Sequence, residues 1–191
     1  MRFTHFPFDD ADLEIVVSAK PSAELSTRIL RGNTVTPREF LENVVRPNVE
    51  DFNTNYGSVR HAHNAVTAVD ALAAHLYQWC KTNASSEIAG VSDDTHYRAR
   101  LAQNSSDFRL LRDIAKAQKH VHLIRGATEV TTAAQVAARS LGWDEAKLDQ
   151  SRWDGPPQVV VTADAGELRY VEQIVADALT VLETEMSRLK I

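Results

Sequence analysis

Arg109, Asp113, Lys116 and His120 follow one another at i, i+4, i+7 and i+11 within SDFRLLRDIAKAQKHVHL, the stretch from Ser106 to Leu123. On a helix that spacing lines up a guanidinium, a carboxylate, an ammonium and an imidazole along one stripe about three turns long. An imidazole titrates near neutral pH and can carry a proton, while guanidinium and ammonium groups stabilise negative charge, so the stripe has the makings of an acid–base or anion-holding site. The helix predicted over 107–123 also has an apolar half, formed by Phe108, Leu110, Leu111, Ile114, Ala115, Ala117 and Val121. Arg109, Arg112, Asp113, Lys116, Lys119 and His120 share the other half, at about 100° per residue. A solvated helix face laced with ion pairs has the same composition.

The frame that must position this stripe is set by composition. A chain of 191 residues, 43% hydrophobic and 25% charged, matches an ordinary globular domain long enough for one sizeable core. A net charge of −5 leaves no general basic coat, so contact with a nucleic acid would need a local patch, and Arg109, Arg112, Lys116 and Lys119 form one. The single cysteine, Cys80, excludes an internal disulfide framework and a multi-cysteine zinc site. No apolar run approaches the roughly 18 residues of a membrane helix, and the start MRFTHFPFDD carries acids where a secretory signal is apolar. These features point to the cytoplasm and away from a membrane.

Residues 1–35 read as an arm whose aromatics Phe3, Phe6 and Phe8 require burial along the body or on a second subunit, with a short strand at Leu13–Val17. Residues 36–191 read as a single helical-bundle domain. Thr36-Pro37-Arg38-Glu39 combines an N-cap hydroxyl, a proline in the first turn and a reciprocal glutamate, and Pro47 predicts a kink or break near Arg46. After a connection at 53–57 and a cap at Ser58, a central helix over 59–81 presents Ala62, Ala65, Val66, Val69, Leu72, Ala73, Leu76, Tyr77 and Cys80 as a wide apolar face. His63 and Asp70, seven residues apart, share one edge of that helix and are candidate partners of the polar stripe. His61 and His63 diverge by about 200° and cannot reach one ion from one helix, so neither a metal nor another cofactor is expected.

An exposed connection over 83–94, a short helix over 95–103 and an N-cap at Ser106 lead into the stripe-bearing helix, which Arg125-Gly126 should end. The alanine-rich stretch from Val130 to Ser140 fits a helix closed by Gly142, or a packing segment or irregular loop. A break at Trp153–Pro157 precedes a β-branched segment and turn chemistry at Asp164-Ala165-Gly166, which predict a hairpin, or one strand, before an amphipathic helix over 171–189. The fold class is therefore mainly α, a helical bundle with a small β element before the C-terminal helix.

Gly-X-Ser-X-Gly elbows and glycine-rich phosphate loops are absent from the sequence, which excludes hydrolases and nucleotide folds built on those motifs. Cys80 falls on the core face and makes a poor nucleophile. Arg112-Asp113 followed by His120 resembles the motif of the HEPN superfamily, small helical bundles that are often metal-independent ribonucleases. Seven residues separate Arg112 from His120, where that family has four to six. The segment FRLLRDIAKAQKH also resembles uncharacterised bacterial and phage-type helical proteins. The HEPN resemblance implies an RNA substrate, a homodimer with the site in a groove between subunits, and catalysis by Arg112, Asp113 and His120. In that chemistry His120 takes the 2′-hydroxyl proton, Arg112 stabilises the transition-state charge and Asp113 orients the imidazole. The alternative, and the preferred reading, is a binding or adaptor protein. Its polar face, with Arg109, Lys116, Lys119, His63 and Asp70, holds RNA or an acidic protein.

Overall fold

The computed structural model describes residues 35–120, 122–123, 128–140 and 157–191. Residues 1–34 of the expected 1–35 arm, Val121, the Arg125-Gly126 stop, Gly142 and all of the Trp153–Pro157 break except Pro157 lie outside them. The expected start signal operates as read: the Thr36 hydroxyl accepts from the Glu39 amide while the Thr36 amide donates to the Glu39 carboxylate, and α1 (Pro37–Phe40) follows. Pro47 produces no break. Its ring would press on a carbonyl one turn back, and the chain widens there into a π-turn (Leu41–Val45), closed by the Arg46 amide on the Leu41 carbonyl, before running on as α2 (Arg46–Thr54).

Tyr56 and Gly57 lie in the turn that follows. The Val159 amide bonds the Tyr56 carbonyl at 3.0 Å, and the Pro157 carbonyl oxygen occupies the place that a Cβ on Gly57 would need. Ser58 then caps α3 (Val59–Asn83) by accepting from the His61 amide. α3 is the central helix, packing against α2, α4 (Asp94–Asn104), α5 (Ser106–His120) and α6 (Val171–Leu189). Every residue of its predicted apolar face is buried, including Cys80, whose thiol is pushed up by burial. Alanines at 62, 65 and 73 keep that face flat and let neighbouring helices approach. α4 is capped by Asp93 through the His96 amide. The cap of α5 is Ser105, one residue earlier than expected, since its hydroxyl accepts from the Phe108 amide at 3.1 Å.

α5 ends at His120 rather than at 123. The backbone there leaves the helix for a different partner: the Leu123 amide bonds the Thr131 carbonyl, and His122 bridges antiparallel to Thr132. The alanine-rich stretch Val130–Ser140 forms no α-helix either. Ala133–Gln135 form a single 3₁₀ turn and Val136–Arg139 form β1. Alanine favours helix by only a fraction of a kcal/mol per residue. Pairing and capping outweigh it: Gln135 Oε1 accepts from the Thr131 and Thr132 amides at 2.8 and 2.7 Å, while its amide nitrogen donates to the Thr162 carbonyl. β2 (Gln158–Thr162) is buried along most of its length, so its backbone needs a neighbour on each side. β1 pairs one edge, Val136 opposite Val161, and β3 (Leu168–Tyr170) the other, giving an antiparallel sheet of order β1-β2-β3. Gly166, at φ 85°, makes the left-handed turn of the β2–β3 hairpin, and α6 starts directly after Tyr170. The result is mainly α with a small sheet before the C-terminal helix, as the sequence predicts. No described helix is long and apolar enough to cross a membrane.

Candidate functional site

α5 carries the polar stripe against α3 and α4, and the side chains divide by depth. Asp113 does not sit on the polar half where the helical wheel puts it. It is 4% exposed and accepts the Glu129 amide through Oδ2 at 3.0 Å, because the segment around Glu129 returns across that side of the helix. Burial raises its carboxyl above the ordinary range, opposed by the Glu129 amide and by the charges of Lys116 and Arg112. Glu129 also holds Arg109, Nε to Oε1 at 2.7 Å, so one residue tethers both the first cation of the stripe and its carboxylate.

Asp70 on α3 lies beneath the same face. It is 4% exposed, with Oδ2 3.6 Å from the Lys119 ammonium and Oδ1 3.3 Å from Arg98 Nε. The Arg98 contact is an ion pair without directed hydrogen-bond geometry, and Nε also reaches the Asp70 carbonyl oxygen at 3.3 Å. Arg98 was not singled out from the sequence. The signal for it was the i, i+4 spacing to Asp94, which the structure closes as a 2.7 Å bond. Asp70 therefore sits beneath cations from two other helices.

Lys116 lies 3.9 Å from Asp113 Oδ1, and its ammonium is pushed below its ordinary value by burial first and by Arg112 second. Arg112 donates to the Thr95 carbonyl oxygen at 3.3 Å and has no carboxylate partner among the described residues. His120 is exposed and its ring makes no hydrogen bond among the described residues. His63 is half-buried; burial lowers its imidazole pKa, and Nε2 is enclosed with no hydrogen-bond partner. One turn on from His63, Thr67 donates to Gln118 Oε1 at 3.3 Å across the α3–α5 seam. The structure thus brings Asp70, Arg98, Arg112, Asp113, Lys116 and Lys119 together. It does not join His63 or His120 to them by any hydrogen bond or ion pair among the described residues.

A second charged cluster lies where α4, α6 and the 3₁₀ turn Ser85–Ile88 meet, and it has a different character. Tyr97, fully buried, donates to Glu185 at 2.9 Å; Arg188 grips the same carboxylate with two bonds of 2.8 and 2.9 Å and reaches Glu87 as well. Arg100 stacks over the Tyr97 ring and bonds the Glu87 carbonyl oxygen. Each charged head there is taken up by tight contacts, which is the condition of a structural staple. At the α5 face the ammonium contacts are long and half-exposed, and donors stay open.

Among the described residues no three His, Cys, Asp or Glu side chains converge as a metal ion would require. No family model, curated protein or solved structure matches this chain.

Proposed function

We propose that this chain is a binding or adaptor protein that engages an anionic partner through the polar face of α5. The observation that carries the reading is the donor count. Arg112 uses one N–H on the Thr95 carbonyl, and neither Lys116 nor Lys119 makes a hydrogen bond among the described residues. The carboxylates nearest to them, Asp70 and Asp113, are buried beneath the cations and neutralise charge without covering the outward N–H groups. Such a face offers directed donors to an anion at little reorganisation.

The HEPN-like ribonuclease reading asks more of the same residues. A base and a cation acting on one phosphate must converge on it, and the eight helical steps from Arg112 to His120 place them about 12 Å apart along the axis. Asp113, cast as the group that orients the imidazole, is instead engaged by the Glu129 amide. Both observations favour binding over cleavage. The test is fluorescence anisotropy of labelled polyglutamate and of labelled single-stranded RNA across a salt series, run beside an RNA-cleavage assay in EDTA. Salt-dependent binding of an intact probe, lost in Arg112→Ala, supports the proposal. RNA cleavage abolished by His120→Ala would replace it with the ribonuclease reading.

A further inference from the structure

The basic side chains on α5 are regularly placed. Arg109, Arg112, Lys116 and Lys119 stand at i, i+3, i+7 and i+10, all within the unbroken helix Ser106–His120. Steps of three, four and three residues keep them inside an arc of about 80° and spread them over about 15 Å of axis. That is heptad spacing, and over so short a length a second helix lying alongside can meet the four cations in turn with carboxylates at the same interval.

We infer that the partner of this face is an acidic amphipathic helix of another protein, with carboxylates at the same heptad interval, lying along α5. This rests on the binding reading above and narrows it to one partner class. Three features of the face favour carboxylates on a helix over a phosphodiester backbone. The cations are paired beneath by Asp70 and Asp113 and flanked by Glu129, and the chain carries a net charge of −5. A nucleic acid, with its dense and continuous charge, meets that underlying negative field along its whole length. A carboxylate helix presents isolated charges that meet the four cations in turn. In addition, the last turn of α5 has a negative dipole end, which an antiparallel helix meets with its positive N-terminus.

The experiment uses the full chain and three fluorescein-labelled probes at low salt. One is a 15-residue alanine-rich helix with Glu at i, i+3, i+7 and i+10. The second has the same composition with Glu spread round the helix, and the third is a single-stranded RNA 12-mer. The heptad peptide is expected to bind about tenfold more tightly than the spread peptide, and Arg112→Glu or Lys119→Glu to weaken it by about tenfold or more. Lys81→Glu, an exposed change elsewhere on α3, should leave binding unchanged. Equal affinity for the two peptides would overturn the heptad match, and tighter binding of RNA would overturn the partner class, each leaving the anionic-partner reading standing. If none of the probes binds, the binding reading itself is lost.

Discussion

Replacing Asp70 with Asn should move stability and anion binding in opposite directions. Asp70 is buried under two cations that differ in depth: the Arg98 side chain is 16% exposed, that of Lys119 55%. Breaking a buried pair from one side costs about 3–5 kcal/mol, whereas an exposed arm contributes at most about 1 kcal/mol. Arg98 keeps its 2.7 Å bond to Asp94, so the buried arm is only partly lost. The expected loss is therefore about 2–3 kcal/mol, which for a chain of this size lowers the melting temperature by about 5–10 °C. Lys119→Met, which removes only the exposed arm, should cost less than about 1 kcal/mol. In the same Asp70→Asn protein, Lys119 is no longer neutralised from below, and binding of an acidic peptide at low salt should tighten about two- to fivefold. Urea denaturation of the wild type, both single variants and the double variant gives the coupling energy, and anisotropy gives the affinity. A melting temperature for Asp70→Asn within about 1 °C of wild type would refute the assignment of Asp70 as the buried anchor of this face. Weakened peptide binding by a folded Asp70→Asn protein would refute the competition for Lys119.

Hydrogen bonds from Arg188 hold the Glu185 carboxyl below its ordinary value of 4.5, so its contribution is present above that value and disappears as pH falls through the lower, folded one; urea midpoints at pH 7 and pH 3.5 should differ less in Glu185→Gln than in wild type. Burial holds His63 and His75 below 6.5, the latter stacked on Phe40 at 3.9 Å, so charging them opposes folding and stability should decline as pH drops below about 6.5. His63→Leu should flatten that decline in denaturant titrations between pH 7.5 and 5; an unchanged slope would show that the imidazole is not held neutral by burial. Gly57→Ala places a methyl group on the Pro157 carbonyl and should cost about 1–3 kcal/mol in thermal unfolding; Gly90→Ala meets no such contact, and its cost of about 1 kcal/mol comes instead from holding an alanine at φ 78°.

The elements that carry the candidate site were legible because their signals are local. The capping box at Thr36 and the alanine-rich face of α3 depend only on residues within one or two turns and form as read, as does the apolar half of α5 from Phe108 to Ala117. The basic patch was legible for the same reason: Arg109, Arg112, Lys116 and Lys119 are neighbours by helical geometry alone. What periodicity could not supply is depth. Asp113 lies at the margin of the wheel, and only the return of the Glu129 segment decides that it is buried and bonded to a backbone amide. Asp70 and Lys119 are 49 positions apart, and Tyr97 and Glu185 meet across 88, so their pairing follows from how helices dock. The strand at Val136–Arg139 shows the same limit on the fold itself. Its alanines point to helix by intrinsic preference, but the buried backbone of β2 needs a hydrogen-bonding neighbour on its second edge. A preference of tenths of a kcal/mol per residue yields to the larger penalty for unpaired amides and carbonyls in the core, and that penalty exists only once the chain has folded.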